Sequence, residues 1–357
     1  MQALRIYAGP KAFQHMEHNG LQPADIGVVP GAAGGPKGLI LGPLDRFVFG
    51  DWLNRASHEV HLVGASIGAW RMATACLKDP AAGFRQLQRD YIAQNYALKP
   101  GEKFPSADTV SEDFGRNLVS FYAGKVVDVL NHPRYRLHIV TSRGRHILGR
   151  EHKVATPLGY LGAYLSNGMA RKAMGAWLER IVFSSAGAAL PFAVDDYPTR
   201  QISLSLDNFN PALQASCSIP FVLRAVNDIP GAPRGAYWDG GITDYHLHLN
   251  YAAATQKLVL YPHFQKSVVP GWLDKALKWR HKSTPFLNSM VLLAPDPDWV
   301  KTLPNGKLPD RGDFAHYGTD LQARIKAWSR AASASEQLAD EWQQWLQKPD
   351  VRGVEPL

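Results

Sequence analysis

The sequence predicts an α/β protein in which a parallel-rich central sheet is flanked by helices on both faces, with an additional helix towards the C-terminus. Two observations support this fold class. Short apolar runs alternate with helix-forming segments along most of the 357 residues, as in parallel sheets covered by crossover helices. Glycine-rich turns directly follow two of these runs, at the strand ends where sites form in such sheets.

Six apolar runs are predicted as strands and five longer segments as helices. The predicted strands are 25–29, 58–63, 135–141, 201–206, 257–261 and 290–294. The predicted helices are 37–55, 67–77, 80–97, 111–130 and 158–183. Residues 295–318 are rich in Pro, Asp and Gly and predict a long loop. Residues 320–346 have the apolar spacing of an amphipathic helix or helix pair.

A Gly-x-Ser-x-Gly pattern, Gly64 to Gly68, lies between the apolar run His61-Leu62-Val63 and a helix-forming run that starts at Ile67. A strand–turn–helix context of this kind is what a nucleophile elbow requires. The elbow holds its serine, here Ser66, on a strained turn, and the glycines remove side chains that would clash in so tight a bend. The alternative is an ordinary glycine-rich turn.

A second glycine-rich segment follows the predicted strand 25–29. Its backbone N–H groups are unshielded and could bind a developing oxyanion, and Lys37 adds a positive charge at the same place. The segment matches neither the Walker A motif nor Gly-x-Gly-x-x-Gly, so a nucleotide site is not expected. A phosphate-binding loop or a plain tight turn is the alternative.

A third segment, Tyr237-Trp238-Asp239-Gly240-Gly241, places a carboxylate beside two glycines after a strand-like aromatic pair. A serine hydroxyl is a weak nucleophile and needs a nearby base, which Asp239 could supply, while Gly240 and Gly241 allow a close backbone approach. The alternative is a simple Asp-Gly turn.

Together these segments resemble the patatin-like phospholipase family over roughly residues 25–250. The family's Gly-Gly-x-Arg/Lys-Gly loop corresponds to Gly34-Gly35-Pro36-Lys37-Gly38, its elbow to Gly64–Gly68, and its Asp-Gly-Gly block to Asp239–Gly241. A less specific motif of the family, Ala-Ser-x-x-x-Pro, corresponds to Ala215–Pro220. The chain departs from the family pattern at Ala33, which occupies the first glycine position of the loop.

The resemblance implies a three-layer α/β/α catalytic domain and a Ser–Asp dyad. This domain is expected over 1–318, and the helix-forming residues that follow predict a C-terminal amphipathic helical tail over 319–357. In that mechanism Ser66 attacks an ester carbonyl of a phospholipid or other lipid, and Asp239 accepts its proton. Pro36 has no N–H, so the candidate oxyanion donors in the loop are Gly34, Gly35 and Lys37, with Ile67 of the elbow as a further donor.

Three alternatives stay open at this stage, of which only the last belongs to another functional class. One of the 13 histidines, His246, could complete a Ser-His-Asp triad in a general carboxylesterase. An acyltransferase could use the same elbow, and a non-catalytic lipid-binding protein could keep the same fold. Because His246 and His248 alternate with leucines, the plainer interpretation places them on the solvent side of a strand or loop.

Metals and cofactors are not expected. The two cysteines, Cys76 and Cys217, are far apart in sequence, and neither Cys-x-x-Cys nor His-Glu-x-x-His occurs. Cys76 is expected in the core, and no disulfide is required, as in a reducing compartment. No signal peptide is apparent and no apolar run approaches the ~20 residues of a membrane span, so the expected location is cytoplasmic.

The formal net charge of +8 favours anionic partners. No nucleic-acid motif accompanies it, so the expected partners are a lipid or acyl-ester substrate and, peripherally, an anionic membrane surface. Residues 263–282 mix Trp and basic residues, as interfacial segments do, although an ordinary amphipathic surface helix would look the same. Residues 143–190, rich in Gly, Ala and aromatic residues, predict either core or a lid over the site. The oligomeric state does not follow from the sequence.

Overall fold

The computed structural model describes residues 1–96, 105–196 and 198–357. Within these residues, eleven strands join in one mixed sheet. The strands are β1 (Leu4–Ala8), β2 (Ile26–Gly31), β3 (Val60–Ala65), β4 (Tyr135–Gly144), β5 (Leu178–Ser184), β6 (Thr199–Ser203), β7 (Val226–Asn227), β8 (Ala236–Asp239), β9 (Leu258–Pro262), β10 (Met290–Pro295) and β11 (Glu355–Pro356).

The strand order along the sheet is β11-β1-β10-β9-β2-β3-β4-β5-β6, and β8 pairs with both β4 and β7. The five strands from β10 to β4 run parallel to one another. Strands β1 and β5 pair antiparallel at either side of this block. Every residue of β2, β9 and β10 is buried, as in a parallel sheet that is covered on both faces.

The helices of the described residues complete a three-layer α/β/α arrangement, which confirms the predicted fold class. They are α1 (Pro10–Asn19), α2 (Gly42–Phe47), α3 (Ile67–Ala75), α4 (Pro80–Ala93), α5 (Ala107–Phe121), α6 (Val126–Leu130), α7 (Ala155–Met169), α8 (Phe209–Cys217), α9 (Gly241–Asp244), α10 (Pro297–Lys301), α11 (Gly312–Tyr317), α12 (Leu321–Ala334) and α13 (Glu336–Gln347).

Most predicted elements occur, with shifted ends. The predicted strand 201–206 is β6, which ends at Ser203. The predicted helix 37–55 is a succession of short 3₁₀, α and π segments that includes α2, and 111–130 is divided between α5 and α6. The helix predicted over 80–97 ends at Ala93, and residue 97 lies outside the described residues. Segment 320–346 forms the helix pair α12 and α13.

The helix predicted over 158–183 is wrong in its last part, because β5 occupies Leu178–Ser184. β5 contains two charged residues, Glu179 and Arg180, which are rarely buried in a strand unless they are paired. Both side chains are buried, and ion pairs compensate their charges, Glu179 with Arg143 and Arg180 with Asp244.

The loop predicted over 295–318 is also wrong, because the segment contains α10 and α11. The side chain of Asp296 accepts hydrogen bonds from the N–H groups of Asp298 and Trp299, and Pro297 is the first helical residue. Asp and Pro therefore begin a helix here, a role that both residues fill at helix N-termini.

Candidate active site

The elbow lies between the end of β3 at Ala65 and the start of α3 at Ile67. Ser66 has φ 56° and ψ −130°, a strained backbone conformation for a non-glycine residue. A Cβ atom at Gly64 would lie 2.4 Å from the Cα of Ala69, and one at Gly68 would lie 1.8 Å from the carbonyl oxygen of Gly31. Both positions therefore require glycine for steric reasons.

Asp239 reaches Ser66 because β3 and β8 meet end to end along the same edge of β4. Strand β3 pairs parallel with β4 as far as Ala65 opposite Val140. Strand β8 pairs antiparallel, with Asp239 opposite the next residue, Thr141. Although 173 positions separate the two residues, the Ser66 hydroxyl donates a 2.7 Å hydrogen bond to Oδ2 of Asp239.

The Ala215–Pro220 segment joins the two halves of this pair. The Oγ of Ser216 accepts a hydrogen bond from the N–H of Ser66 at 3.0 Å and donates one to the carbonyl of Val140 at 2.7 Å. The carbonyl of Ser216 accepts from the N–H of Gly240, and that of Ser218 accepts from the N–H of Asp239. The Ala215–Pro220 segment therefore connects the turn at Ser66 to the turn at Asp239.

The carboxylate of Asp239 is almost completely buried. Burial raises its pKa to about 6, and the positive charge of Arg311 and hydrogen bonds from Ser66 and Gly241 oppose this rise. The N–H of Gly241 donates to Oδ1 at 2.7 Å, so each carboxylate oxygen has one donor. A carboxylate with this pKa is suited to accept a proton at neutral pH.

Gly240 and Gly241 are required by close approaches around the carboxylate. A Cβ at Gly240 would lie 2.0 Å from the carbonyl oxygen of Val140, and one at Gly241 would lie 2.7 Å from the Cβ of Ala33. Behind them, Asp244 at the end of α9 pairs with the buried Arg180. This ion pair anchors the helix that follows Asp239.

The glycine-rich loop leaves β2 and lies beside the elbow. Among the described residues, no hydrogen-bond partner is found for the N–H groups of Gly34, Gly35 and Ile67, which are candidate oxyanion donors. The N–H of Ala33 is taken by the carbonyl of Tyr245. Gly38 packs against the side chain of Ile67, with a Cβ position 3.2 Å from it.

The histidines do not join the dyad. Nδ1 of His246 lies 3.1 Å from the carbonyl oxygen of Ser267, and both ring nitrogens of His248 contact Val268 and Thr284. Both residues are buried, so the predicted solvent exposure is wrong. Burial lowers the pKa of His246 well below its usual value, and the charge of His263 lowers it further.

A cavity of about 330 Å³ opens beside Asp239. One part of its wall is apolar, formed by Ile219, Pro220, Ile242 and Trp272. Another part carries charges that sequence reasoning missed. Lys275 and Arg311 reach the cavity from segments 263–282 and 295–318, together with Lys37 of the glycine-rich loop. Neither Lys275 nor Arg311 lies in a motif, so only the tertiary fold reveals them.

Both cysteines, Cys76 and Cys217, are buried and free, and Cys76 lies in the core as expected. Among residues 1–96, 105–196 and 198–357, no group of three His, Cys, Asp or Glu side chains could hold a metal ion. In the same part of the chain no helix has the length and apolar character needed to cross a membrane.

The chain matches no protein-family model, and no curated protein is significantly similar to it in sequence. The geometry of the site therefore carries the functional argument. It brings together a serine hydroxyl on a strained turn, a buried carboxylate that accepts its hydrogen bond, and a set of free backbone donors.

Proposed function

We propose that this protein is a serine acyl hydrolase that cleaves carboxylic esters of phospholipids or other lipids with a Ser–Asp dyad. The observation that carries the proposal is the 2.7 Å hydrogen bond from the Ser66 hydroxyl to Asp239. The resemblance of the four motifs to patatin-like phospholipases supports the same reaction class. The proposed substrate class rests on that resemblance and on the apolar part of the cavity wall.

In the acylation step, Oγ of Ser66 attacks the ester carbonyl while Oδ2 of Asp239 takes the hydroxyl proton. The carbonyl oxygen becomes an oxyanion that the N–H groups of Gly34, Gly35 and Ile67 are placed to stabilise. The tetrahedral intermediate then collapses, the C–O bond to the alcohol breaks, and Asp239 returns its proton to the leaving alkoxide. The product is an alcohol and an acyl group on Ser66.

Deacylation repeats the sequence with water as the nucleophile. Asp239 removes a proton from the water, which attacks the acyl carbonyl, and the same backbone donors stabilise the second oxyanion. Collapse releases the carboxylic acid and restores the Ser66 hydroxyl with the proton from Asp239. One carboxylate therefore acts as base and acid in both halves of the reaction, and no histidine takes part.

The test combines a covalent probe with an activity assay. A fluorophosphonate should label Ser66, identified by peptide mass spectrometry, and the wild-type protein should hydrolyse p-nitrophenyl esters and dispersed lipid esters. Ser66→Ala should lose both signals while keeping its circular dichroism spectrum and melting temperature.

The neighbouring Ser218→Ala is the matched control, since Oγ of Ser218 bonds only to the carbonyl of Gln214 among the described residues, and it should keep both signals. Folded wild-type protein that neither reacts with the probe nor cleaves any ester would overturn the proposal and favour a lipid-binding role. Labelling at another serine would overturn the nucleophile assignment.

A further inference from the structure

Three cationic side chains converge on the cavity beside Asp239. Lys37, Lys275 and Arg311 line it, and none of them forms an ion pair with an acidic group of the described residues. Lys37 instead lies over the ring of Phe264, at 5.3 Å from its centroid. We name these three residues the cation cluster.

The one further acidic residue of the cavity wall, Asp310, favours the charged form of Lys37 but forms its ion pair with a lysine outside the cluster. Oδ1 of Asp310 lies 2.7 Å from Nζ of Lys307 and accepts the N–H of Gly312 at 2.8 Å. The cations therefore repel one another. Burial lowers the pKa of Lys275, and the charges of Lys37 and Arg311 lower it further. A bound anion would relieve this repulsion.

We propose that the cation cluster binds an anionic group, either a carboxylate or a phosphate, that the ester substrate carries close to its scissile bond. This inference rests on the proposed function. The forked guanidinium of Arg311 suits either group because it can donate two parallel hydrogen bonds. The apolar part of the cavity wall would receive the acyl part of the ester substrate. The site would then prefer anionic esters over neutral or zwitterionic ones.

A pair of soluble esters tests this preference directly. Mono-p-nitrophenyl succinate and p-nitrophenyl acetate have the same leaving group and differ in a distal carboxylate. We expect kcat/KM to be higher for the succinate, and Arg311→Gln to reduce the succinate-to-acetate ratio by about tenfold or more, as for loss of a charged hydrogen bond. Lys348→Gln removes an exposed charge outside the cavity and should leave the ratio unchanged.

Lipid substrates identify the source of the anion. Faster hydrolysis of phosphatidic acid than of phosphatidylcholine in matched mixed micelles would point to a headgroup phosphate. A preference confined to the soluble hemiester would point to a small anionic ester. An equal ratio in wild type and Arg311→Gln, with hydrolysis still dependent on Ser66, would overturn this inference and leave the proposed function intact.

A binding measurement separates the two proposals if no ester is cleaved. Succinate at matched ionic strength should raise the melting temperature of the Ser66→Ala protein, and Arg311→Gln should remove that rise. Stabilisation without any ester hydrolysis would refute the proposed function but keep the anion site. The absence of both would overturn the anion site.

A different observation concerns the exposed face of α7. This helix contains no charged residue, yet it carries an apolar row that starts just before its first residue. The row consists of residues that are 53% to 89% exposed, namely Val154, Leu158, Leu161, Leu165 and Met169. We name this row the α7 stripe. Its length and exposure exceed the scattered apolar residues of ordinary protein surfaces.

The α7 stripe lies close to the candidate site and is bordered by positive charge. On the opposite face of α7, Tyr160 packs against Trp238 of β8. Arg280 donates to Asn167 of α7, which places the exposed Trp279 near the end of the helix. The surrounding exposed lysines are Lys153, Lys172, Lys278 and Lys282.

We infer that the α7 stripe docks on an anionic lipid surface, which deepens the proposed function by giving the enzyme access to lipid esters. An uncharged apolar face with an aromatic residue and a lysine border has the composition of an interfacial helix, and the lysines complement anionic headgroups. Residues 263–282, which the sequence predicted as either an interfacial segment or an ordinary amphipathic surface helix, contain only short 3₁₀ turns as helical structure and contribute Trp279 and lysines to the border.

Vesicle binding tests the α7 stripe independently of catalysis. The Ser66→Ala protein should cosediment with vesicles containing phosphatidylglycerol and much less with pure phosphatidylcholine. Adding Leu161→Gln and Leu165→Gln should reduce binding by about tenfold, the loss expected from removing two apolar contacts. Val127→Gln alters an equally exposed apolar residue on α6 and should bind normally. Absence of vesicle binding, or a dimer by light scattering that the double substitution dissociates, would overturn the inference.

Discussion

The N–H of Ser66 donates a 3.0 Å hydrogen bond to Oγ of Ser216, 150 positions further along the chain. The same Oγ donates to the carbonyl of Val140 on β4. One buried hydroxyl thus connects the strained turn, the central sheet and the segment that precedes β8. In the proposed mechanism, the orientation of Ser66 therefore depends on Ser216 as a positioning residue.

Ser216→Ala should lower both stability and activity. Two buried backbone groups lose their partner, which should reduce the free energy of unfolding by about 1–3 kcal/mol. The turn at Ser66 would relax, so kcat should fall more than KM rises. Urea unfolding and steady-state kinetics measure the two effects. Ser218→Ala should change each of them far less, and equal losses in both variants would show that Ser216 has no special positioning role.

Asp239→Asn should lower kcat by about 10²–10⁴-fold, the usual contribution of a general base. An amide keeps the shape of the side chain but cannot take the proton from Ser66. His246→Gln is the comparison, and because His246 contacts neither dyad residue it should retain most of the activity of wild type. The reverse result, with His246→Gln inactive and Asp239→Asn active, would establish a histidine-based mechanism.

The pH dependence of kcat/KM should show an acid limb near pH 6. The pKa of Asp239 is about 6, and below that pH the carboxyl group is protonated and cannot accept the Ser66 proton. The rate should therefore decrease by about tenfold per pH unit below the pKa. Arg311→Gln removes a charge that favours the carboxylate, so the limb should move to higher pH. An acid limb at the same pH in this variant as in wild type would contradict the assignment of the limb to Asp239.

Gly68→Ala should destabilise the fold by about 1–3 kcal/mol or more, because its new methyl group would overlap the carbonyl of Gly31. The clash separates the elbow from the glycine-rich loop, so activity should fall as well. Gly168→Ala on α7 meets no atom within 4 Å and should raise stability by about 0.5–1 kcal/mol. Melting temperatures of the two proteins provide the comparison.

Asp45→Asn should be strongly destabilising. Asp45 of α2 forms two hydrogen bonds with Arg71 of α3 at 2.6 and 2.7 Å, and both side chains are buried. Removing one charge leaves the other uncompensated, which costs about 3–5 kcal/mol. The exposed pair of Asp51 and Arg55 offers a control, and Asp51→Asn should change the free energy of unfolding by less than about 1 kcal/mol.

Local signals predicted the strand–turn–helix around Ser66 well, because the glycines at 64 and 68 are dictated by contacts with chain neighbours and with the adjacent strand. The sequence offered Asp239 as a possible base for Ser66, and the resemblance to a family supported this pairing, since no spacing rule connects residues so far apart. In the structure, Ser66 and Asp239 are brought together because β3 and β8 both pair with β4. No local sequence pattern predicts the register of that pairing.

The errors have a common physical origin. The helix predicted over 158–183 missed β5 because the ion-pair partners that allow Glu179 and Arg180 to be buried lie elsewhere in the chain, with Asp244 being 64 positions from Arg180. Arg311 escaped notice for the same reason, as its importance arises from the cavity that it enters. Tertiary ion pairs and cavity contacts override local secondary-structure preferences, and they cannot be read from a single sequence.

The alignment of β8 has a consequence of its own. This strand is only four residues long, and neighbouring side chains of a strand point to opposite faces of the sheet. A slip of one position against β4 would turn the carboxylate of Asp239 away from Ser66, and it would move the buried side chains of Tyr237 and Trp238 to the opposite faces of the sheet. The proposed chemistry therefore depends on the correct pairing of a four-residue strand, and a mispaired chain should show a changed tryptophan environment at Trp238 together with the loss of activity.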